Sequence, residues 1–232
     1  MMTFDPLIFT DDYLRVRAVP TCHTSTFVWC HAKGQKGGDW QFMVEPLRKL
    51  GHCNHIAFIF PYLDYSETND AATISKNEAL VQKIVHEEIV KGCDPERIAV
   101  GGYNEGLNVA LLATLADRNK INGVLGITDR LVISEAVREL RKETNSKTPV
   151  YVVDRSGAKE NAGEKALTAL VHPVGAIVDG SKDTLPMSQP ATQEVSSLSL
   201  FQVTTRLTSL QELEGLDKFI HTVLPVEFAE KK

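Results

Sequence analysis

The chain has 232 residues, of which 43% are hydrophobic and 24% are charged. This composition is typical of a folded globular protein; it excludes a disordered or fibrous chain and predicts a single domain over residues 1–232. The 25 basic residues against 30 acidic ones give a formal net charge of −5, without the positive excess that a nucleic-acid partner requires.

The cysteines and the first residues of the chain indicate its compartment. The four cysteines are irregularly spaced and form no C-x-x-C pair, which argues against a disulfide framework. The opening MMTFDPLIFTDDYLRVR carries acidic residues where a signal peptide needs a basic region. No run of about 18 apolar residues follows it. We therefore expect a cytoplasmic protein without a transmembrane segment.

Strand and helix signals alternate along the chain. In chain order, β-favouring or apolar runs and apolar residues at helical spacing predict strands at 7–10, 14–18 and 27–30, a helix at 40–50, a strand at 55–60, a helix at 76–90, a strand at 97–101, a helix at 107–117, strands at 123–128 and 148–154, and helices at 160–171 and 209–224. The first two strands are expected to form a hairpin or two edge strands. The alternation implies right-handed crossovers, and hence a doubly wound, mostly parallel α/β sheet with helices on both faces.

Residues 172–199 interrupt this pattern. They are rich in Gly, Pro, Ser and Thr, which favours irregular chain over a helix or a strand. Irregular stretches of this length are uncommon inside a domain unless they serve a function. We expect an insertion here, or a lid over a site.

The strongest site signal is a G-x-N-x-G turn between the predicted strand 97–101 and the helix that follows. Its residues are Gly102, Tyr103, Asn104, Glu105 and Gly106. Ligand crevices of parallel sheets lie at the carboxyl ends of strands, and the pattern matches the G-x-S-x-G nucleophile elbow except at its centre. Asparagine tolerates a positive φ angle, so the turn can persist without a nucleophile. The asparagine is then either a left-handed turn residue or a polar anchor in a ligand crevice.

Over most of its length the chain resembles the acyl-protein thioesterase, or phospholipase/carboxylesterase, family of small cytosolic serine hydrolases. The resemblance is carried by WCHAKGQKGGDW, which is similar to the family's H-G-x-G loop (His31, Gly34, Gly37, Trp40), by DPERIAVGGYNEG and by LDKFIHTVLP. It implies the α/β-hydrolase fold and chemistry that uses a serine, a histidine and an acid.

The triad that this resemblance implies is replaced in the present sequence. Asn104 stands at the nucleophile position and Arg206 at the histidine position. A carboxamide is not a useful nucleophile, and an arginine stays protonated and cannot act as a base. The acid position falls near Ala158, with Asp154 close by and Asp183 as a rival.

The oxyanion hole that the resemblance implies uses backbone N–H groups, here those of Lys33 and Glu105. Ala32 replaces a glycine of the loop, which changes the backbone freedom of that segment. If the Glu105 carboxylate turns inward it repels a developing oxyanion. Alternatively, it caps the helix or faces solvent.

Other candidate residues are weaker. Cys30 next to His31 suggests a thiolate and a base, but adjacent strand residues face opposite sides of a sheet. His52 and His55 flank Cys53, yet no second cluster completes a tetrahedral metal site, so a loop is the favoured interpretation. We predict no metal and no cofactor.

The predicted function is that of a catalytically inactive acyl-protein thioesterase-like or carboxylesterase-like protein with a binding or regulatory role. Its partner would be an acylated peptide, a lipid or a protein. The alternative is an active carboxylesterase or thioesterase that uses a non-standard residue. A third hypothesis has a closed crevice and action only through an exposed apolar patch.

Overall fold

In the computed structural model, the described residues include eight strands that form one mixed sheet. The structure describes residues 7–19, 23–65, 71–129, 132–134, 137, 145, 147–154, 176–179 and 210–226. The strands are β1 (Leu7–Phe9), β2 (Tyr13–Val16), β3 (Ser25–Cys30), β4 (Ile56–Pro61), β5 (Ile98–Tyr103), β6 (Gly123–Thr128), β7 (Val150–Asp154) and β8 (Ala176–Asp179). Their order across the sheet is β1-β2-β4-β3-β5-β6-β7-β8.

The direction of the strands differs between one edge of the sheet and the rest. β1 pairs antiparallel with β2 and β2 antiparallel with β4, which confirms the expected hairpin at one edge. All other neighbours pair in parallel. Parallel neighbours need crossover connections, and between β3 and β6 the described helices supply them.

Helices cover both faces of the sheet. They are α1 (Val44–Lys49), α2 (Ala71–Val90), α3 (Glu105–Leu115) and α4 (Leu210–Val223). Two 3₁₀ turns accompany them: one at Gly37–Met43 leads into α1, and one at Pro95–Arg97 leads into β5. The apolar residues of α2 and α3 share one buried cluster. Those of α1 and α4 share the other.

The central strand β3 shows how the two cores are filled. All six of its residues are buried. Val28 and Cys30 pack toward α2 and α3, whereas Phe27 and Trp29 pack toward α1 and α4. A strand covered on both sides has apolar residues at consecutive positions, which explains the unbroken run in the sequence.

Most element boundaries differ little from the sequence predictions. β4 extends to Pro61, one residue beyond the predicted strand at 55–60, and Pro61 is paired in register with Tyr13 of β2. The predicted helix at 160–171 lies outside the described residues. Part of the segment predicted to be irregular, 172–199, is a strand: β8 pairs in parallel with β7. The prediction is wrong for these four residues and remains untested for the rest of the segment.

Three side chains fix the C-terminal end of α4 at the opposite edge of the sheet from the G-x-N-x-G turn. Asn122, His55 and Arg97 each precede a strand. Their side chains donate to the carbonyl groups of Val223, Leu224 (2.9 Å) and Pro225 (2.6 Å), in that order. The carbonyl groups at the end of a helix have no partner within it, so these bonds stabilise the end of α4.

Candidate functional site

The turn between β5 and α3 places Asn104 at the carboxyl end of the central strands. Its φ is 48° and its ψ is −111°. Among the described residues, no other non-glycine has a positive φ. Of the two interpretations of Asn104, the left-handed turn residue is therefore wrong in ψ: the residue adopts a more sparsely populated conformation, of the kind that costs about 1–3 kcal/mol.

Close backbone contacts explain the two glycines of the turn. A Cβ atom at Gly102 would lie 2.3 Å from the carbonyl group of Gly106, and one at Gly106 would lie 2.2 Å from the carbonyl oxygen of Cys30. Both contacts are with backbone atoms, which cannot rotate away. These contacts are the steric reason for glycine at both positions.

The Asn104 side chain bonds to the end of β6. Its Oδ1 accepts hydrogen bonds from the Thr128 hydroxyl (3.1 Å) and the Asp129 backbone N–H (2.9 Å). Its Nδ2 donates to the Asp129 carboxylate at 3.4 Å, and the Tyr103 hydroxyl donates to the same carboxylate. The carboxamide thus joins the turn to the neighbouring strand end, and its partners in the described structure include no histidine.

Glu105, the first residue of α3, contacts the Gly-rich loop, which is the segment HAKGQKGGDW at residues 31–40. The Lys33 backbone N–H donates to Oε2 of Glu105 at 3.2 Å, linking residues 72 apart in sequence. Of the three orientations left open by the sequence, the structure has the carboxylate turned toward the loop. It bonds to the backbone donor that would face an oxyanion in the predicted site.

His31 is a structural residue in the same loop. Its ring is buried, Nδ1 donates to the Ala32 carbonyl group (2.9 Å), and Nε2 accepts from the Leu63 backbone N–H (3.1 Å). Burial lowers the pKa of His31, which favours this neutral form. Both ring nitrogens are occupied, so the ring has no free position at which to accept a proton from a substrate.

Gln35 and an aromatic contact fix the rest of the loop. The Gln35 side-chain oxygen accepts from the Ala32 backbone N–H (3.1 Å) and from the Trp40 indole (3.0 Å). The Trp40 ring then packs against Tyr103 of the turn, with ring centroids 5.1 Å apart. The Gly-rich loop and the G-x-N-x-G turn therefore form one connected unit.

The remaining predicted site residues are only partly located. Arg206, Ala158 and Asp183 lie outside the described residues. The backbone of Asp154 is paired in register with Thr128, so it lies at the same strand edge as Asn104. Cys30 ends β3 and is completely buried, and burial raises the pKa of its thiol. A buried, protonated thiol is a poor nucleophile.

Two further findings concern the described residues as a whole. They contain no group of three or more His, Cys, Asp or Glu side chains that could hold a metal ion. Nor do they contain a helix whose length and hydrophobicity would allow it to cross a membrane.

Sequence analysis did not identify Thr128 and Asp129 as parts of the site. The available signal was a pair of polar residues at the end of a buried strand: Thr128 is the last residue of GVLGIT, and Asp129 follows it directly. Carboxyl ends of adjacent parallel strands lie at one edge, so such residues approach the neighbouring turn.

Comparison with known proteins gives consistent matches. Residues 58–154 match the phospholipase/carboxylesterase family. "Acyl-protein thioesterase 1" of Gibberella zeae is 30% identical over 159 residues, 56% of this chain and 68% of the relative. The protein of the same name from Emericella nidulans is 22% identical over 236 residues, 88% of this chain and 92% of the relative.

A solved structure supports the architecture. The crystal structure of a phospholipase/carboxylesterase from Dyadobacter fermentans matches with a TM-score of 0.62 at 16% identity, over 91% of this chain and 96% of that one. The likeness confirms the predicted α/β-hydrolase fold.

Proposed function

We propose that this chain, which belongs to the phospholipase/carboxylesterase family of α/β-hydrolases together with acyl-protein thioesterases, is a member without hydrolase activity that binds a ligand or regulates a partner. The observation that carries the proposal is the state of Asn104. Its carboxamide occupies the elbow in place of a hydroxyl and bonds to Thr128 and Asp129. Acyl transfer in this fold needs a nucleophile and a base at that point.

The resemblance supplies the other two replaced roles. We assign the histidine position to Arg206, which cannot act as a base, and the acid position to the vicinity of Ala158, with Asp183 as the rival. Loss of a serine and histidine that act as a unit costs about 10⁶ in kcat. Hydrolysis by the family mechanism is then too slow to serve a biological purpose.

The contact of Glu105 with Lys33 supports the same conclusion independently. Backbone N–H groups could retain an oxyanion hole after the triad is lost, because they do not depend on side-chain identity. Here one of the two assigned donors already bonds to a carboxylate. A developing oxyanion at this position would meet a negative charge instead of a free donor.

The ligand class follows from the relatives. Acyl-protein thioesterases are named for acylated proteins, so we propose an acylated peptide or a lipid as the ligand of this chain. A ligand that binds only the folded state raises its thermal stability. Fatty acids and acyl-thioesters of increasing chain length should therefore raise the midpoint of thermal unfolding in a concentration-dependent way.

The catalytic part of the proposal is tested by turnover. Wild type, Asn104→Ala and Asn108→Ala are assayed with p-nitrophenyl esters of several chain lengths and with an acyl-thioester. Asn108 is a matched control because it lies one turn along α3 and its side chain bonds to Val132 and Ser134 instead of the β6 end. We expect no turnover above buffer from any of the three.

One pattern of turnover among the three proteins would contradict the proposal. Turnover by wild type and Asn108→Ala that is lost in Asn104→Ala would overturn the proposal and establish the active alternative. A fluorophosphonate or iodoacetamide probe that labels one residue of the native protein, and not of the denatured protein, would identify the nucleophile.

A further inference from the structure

A second cluster of polar side chains lies on the face of the sheet covered by α1 and α4, and it is independent of the proposed function. His52 follows α1, and Asp217 and His221 lie one helical turn apart on α4. Nδ1 of His52 is 2.6 Å from Oδ2 of Asp217, and the rings of His52 and His221 have centroids 4.8 Å apart with 35° between their planes.

Asp217 fixes the orientation of His52. Its side chain is only 8% exposed, and it accepts from Nδ1 of His52 on one oxygen and from the Cys53 thiol on the other, at 3.5 Å. Nδ1 thereby carries a proton toward Asp217, which leaves Nε2 as the nitrogen that could bind a metal ion. Histidines that ligate metals commonly make this carboxylate contact with their other nitrogen.

The spacing of the two rings suits a shared ion. The His52 side chain is 49% exposed and His221 is exposed, so solvent reaches both. With metal–nitrogen bonds of about 2.0–2.1 Å, two imidazoles on one tetrahedral ion have centroids about 5 Å apart. The 4.8 Å observed is close to that value.

We propose that His52 and His221 form a surface site for a divalent transition-metal ion of the zinc, nickel or copper class, with Asp217 as the residue that positions His52. Imidazole nitrogens favour these ions over magnesium and calcium, which take oxygen ligands. Solvent supplies the remaining ligands of the ion. Asp217 acts through His52 and does not itself bind the ion, so the protein supplies two ligands. This agrees with the absence of a group of three or more metal-ligating side chains among the described residues.

The test is titration of the full chain with ZnCl₂ by calorimetry after removal of bound metal with a chelator. Wild type should bind one Zn²⁺, and the His221→Gln and His52→Gln substitutions should each lower the affinity for it at least tenfold. His86→Gln is the matched control, since His86 is an exposed histidine on α2, and it should bind as wild type does. Asp217→Asn should weaken binding about 10-fold to 100-fold, the usual effect of losing such a contact.

Two results would overturn the proposal. One is wild-type binding no tighter than that of the His52→Gln, His221→Gln double variant. The other is loss of binding in His86→Gln equal to that in His221→Gln. His221 is exposed on the helix surface, so its variant keeps the core intact, and unfolding curves of each variant verify this. Undiminished affinity in Asp217→Asn would contradict the positioning role.

Discussion

Substitution of Asn104 by alanine and by glycine separates the strain of the turn from its hydrogen bonds. The side chain makes three bonds to Thr128 and Asp129, in a partly exposed position. At roughly 0.5 kcal/mol each, their loss costs about 1–2 kcal/mol in either variant. Only glycine also removes the strain of φ 48°, ψ −111°, worth about 1–3 kcal/mol.

Glycine loses more conformational entropy on folding than alanine does, which lowers the free energy of unfolding by about 0.5–1 kcal/mol. Asn104→Ala should therefore lower the free energy of unfolding by about 1–2 kcal/mol, and Asn104→Gly should be about 1 kcal/mol more stable than the alanine variant. Asn108, inside α3, provides the control with the opposite sign: there glycine should be about 1 kcal/mol less stable than alanine. Urea unfolding monitored by circular dichroism measures all four. A glycine variant at 104 less stable than the alanine variant would refute the strain.

Three further outcomes are expected. Gly106→Ala should lower the free energy of unfolding by about 3 kcal/mol because its Cβ would lie 2.2 Å from a backbone oxygen, whereas Gly38→Ala, whose nearest neighbour is 3.7 Å away, should change it by less than about 0.5 kcal/mol in the same urea assay. Burial raises the pKa of Glu88, but the Arg15 guanidinium 2.6 Å away and the Lys91 ammonium 3.0 Å away together outweigh it, and the pKa lies below its usual range. Glu88→Gln should therefore lower the free energy of unfolding by about 3 kcal/mol at pH 7, and this difference should shrink as the pH falls from the ordinary carboxyl range through the lowered pKa. Urea midpoints that differ equally at pH 7 and pH 3 would contradict it. Iodoacetamide followed by mass spectrometry should modify Cys30 only after unfolding, since the thiol is buried and its pKa is raised.

Local sterics made the turn around Asn104 predictable. The glycines at 102 and 106 and the buried strand before them describe a short-range geometry, and the structure has that geometry. The ψ angle of Asn104 lies outside the left-handed helical region, and the pattern around the turn did not indicate this. The partners of Asn104 on β6 come later in the chain, so the local spacing did not indicate them either.

Contacts between distant residues were beyond the sequence pattern. The orientation of Glu105 depends on Lys33, 72 residues away, so burial propensity and spacing left three choices open. His52 appeared as part of a local histidine and cysteine group, whereas its partner Asp217 is 165 residues further on.

The strand β8 illustrates a third limit. Its four residues lie among glycines and prolines, and a run this short has no distinctive pattern of its own. It forms by pairing with β7, and β-structure depends on such partners more than on intrinsic preference.

The three donors that hold the end of α4 have a consequence for synthesis of the protein on the ribosome. Asn122, His55 and Arg97 are made at least 100 residues before the carbonyl groups that they bind. During translation these side chains and the apolar face awaiting α4 emerge without their partners. The buried cluster between α1, α4 and the sheet is therefore completed only after synthesis has passed Pro225. Until then, the apolar face that α4 will cover is exposed to chaperones and to aggregation.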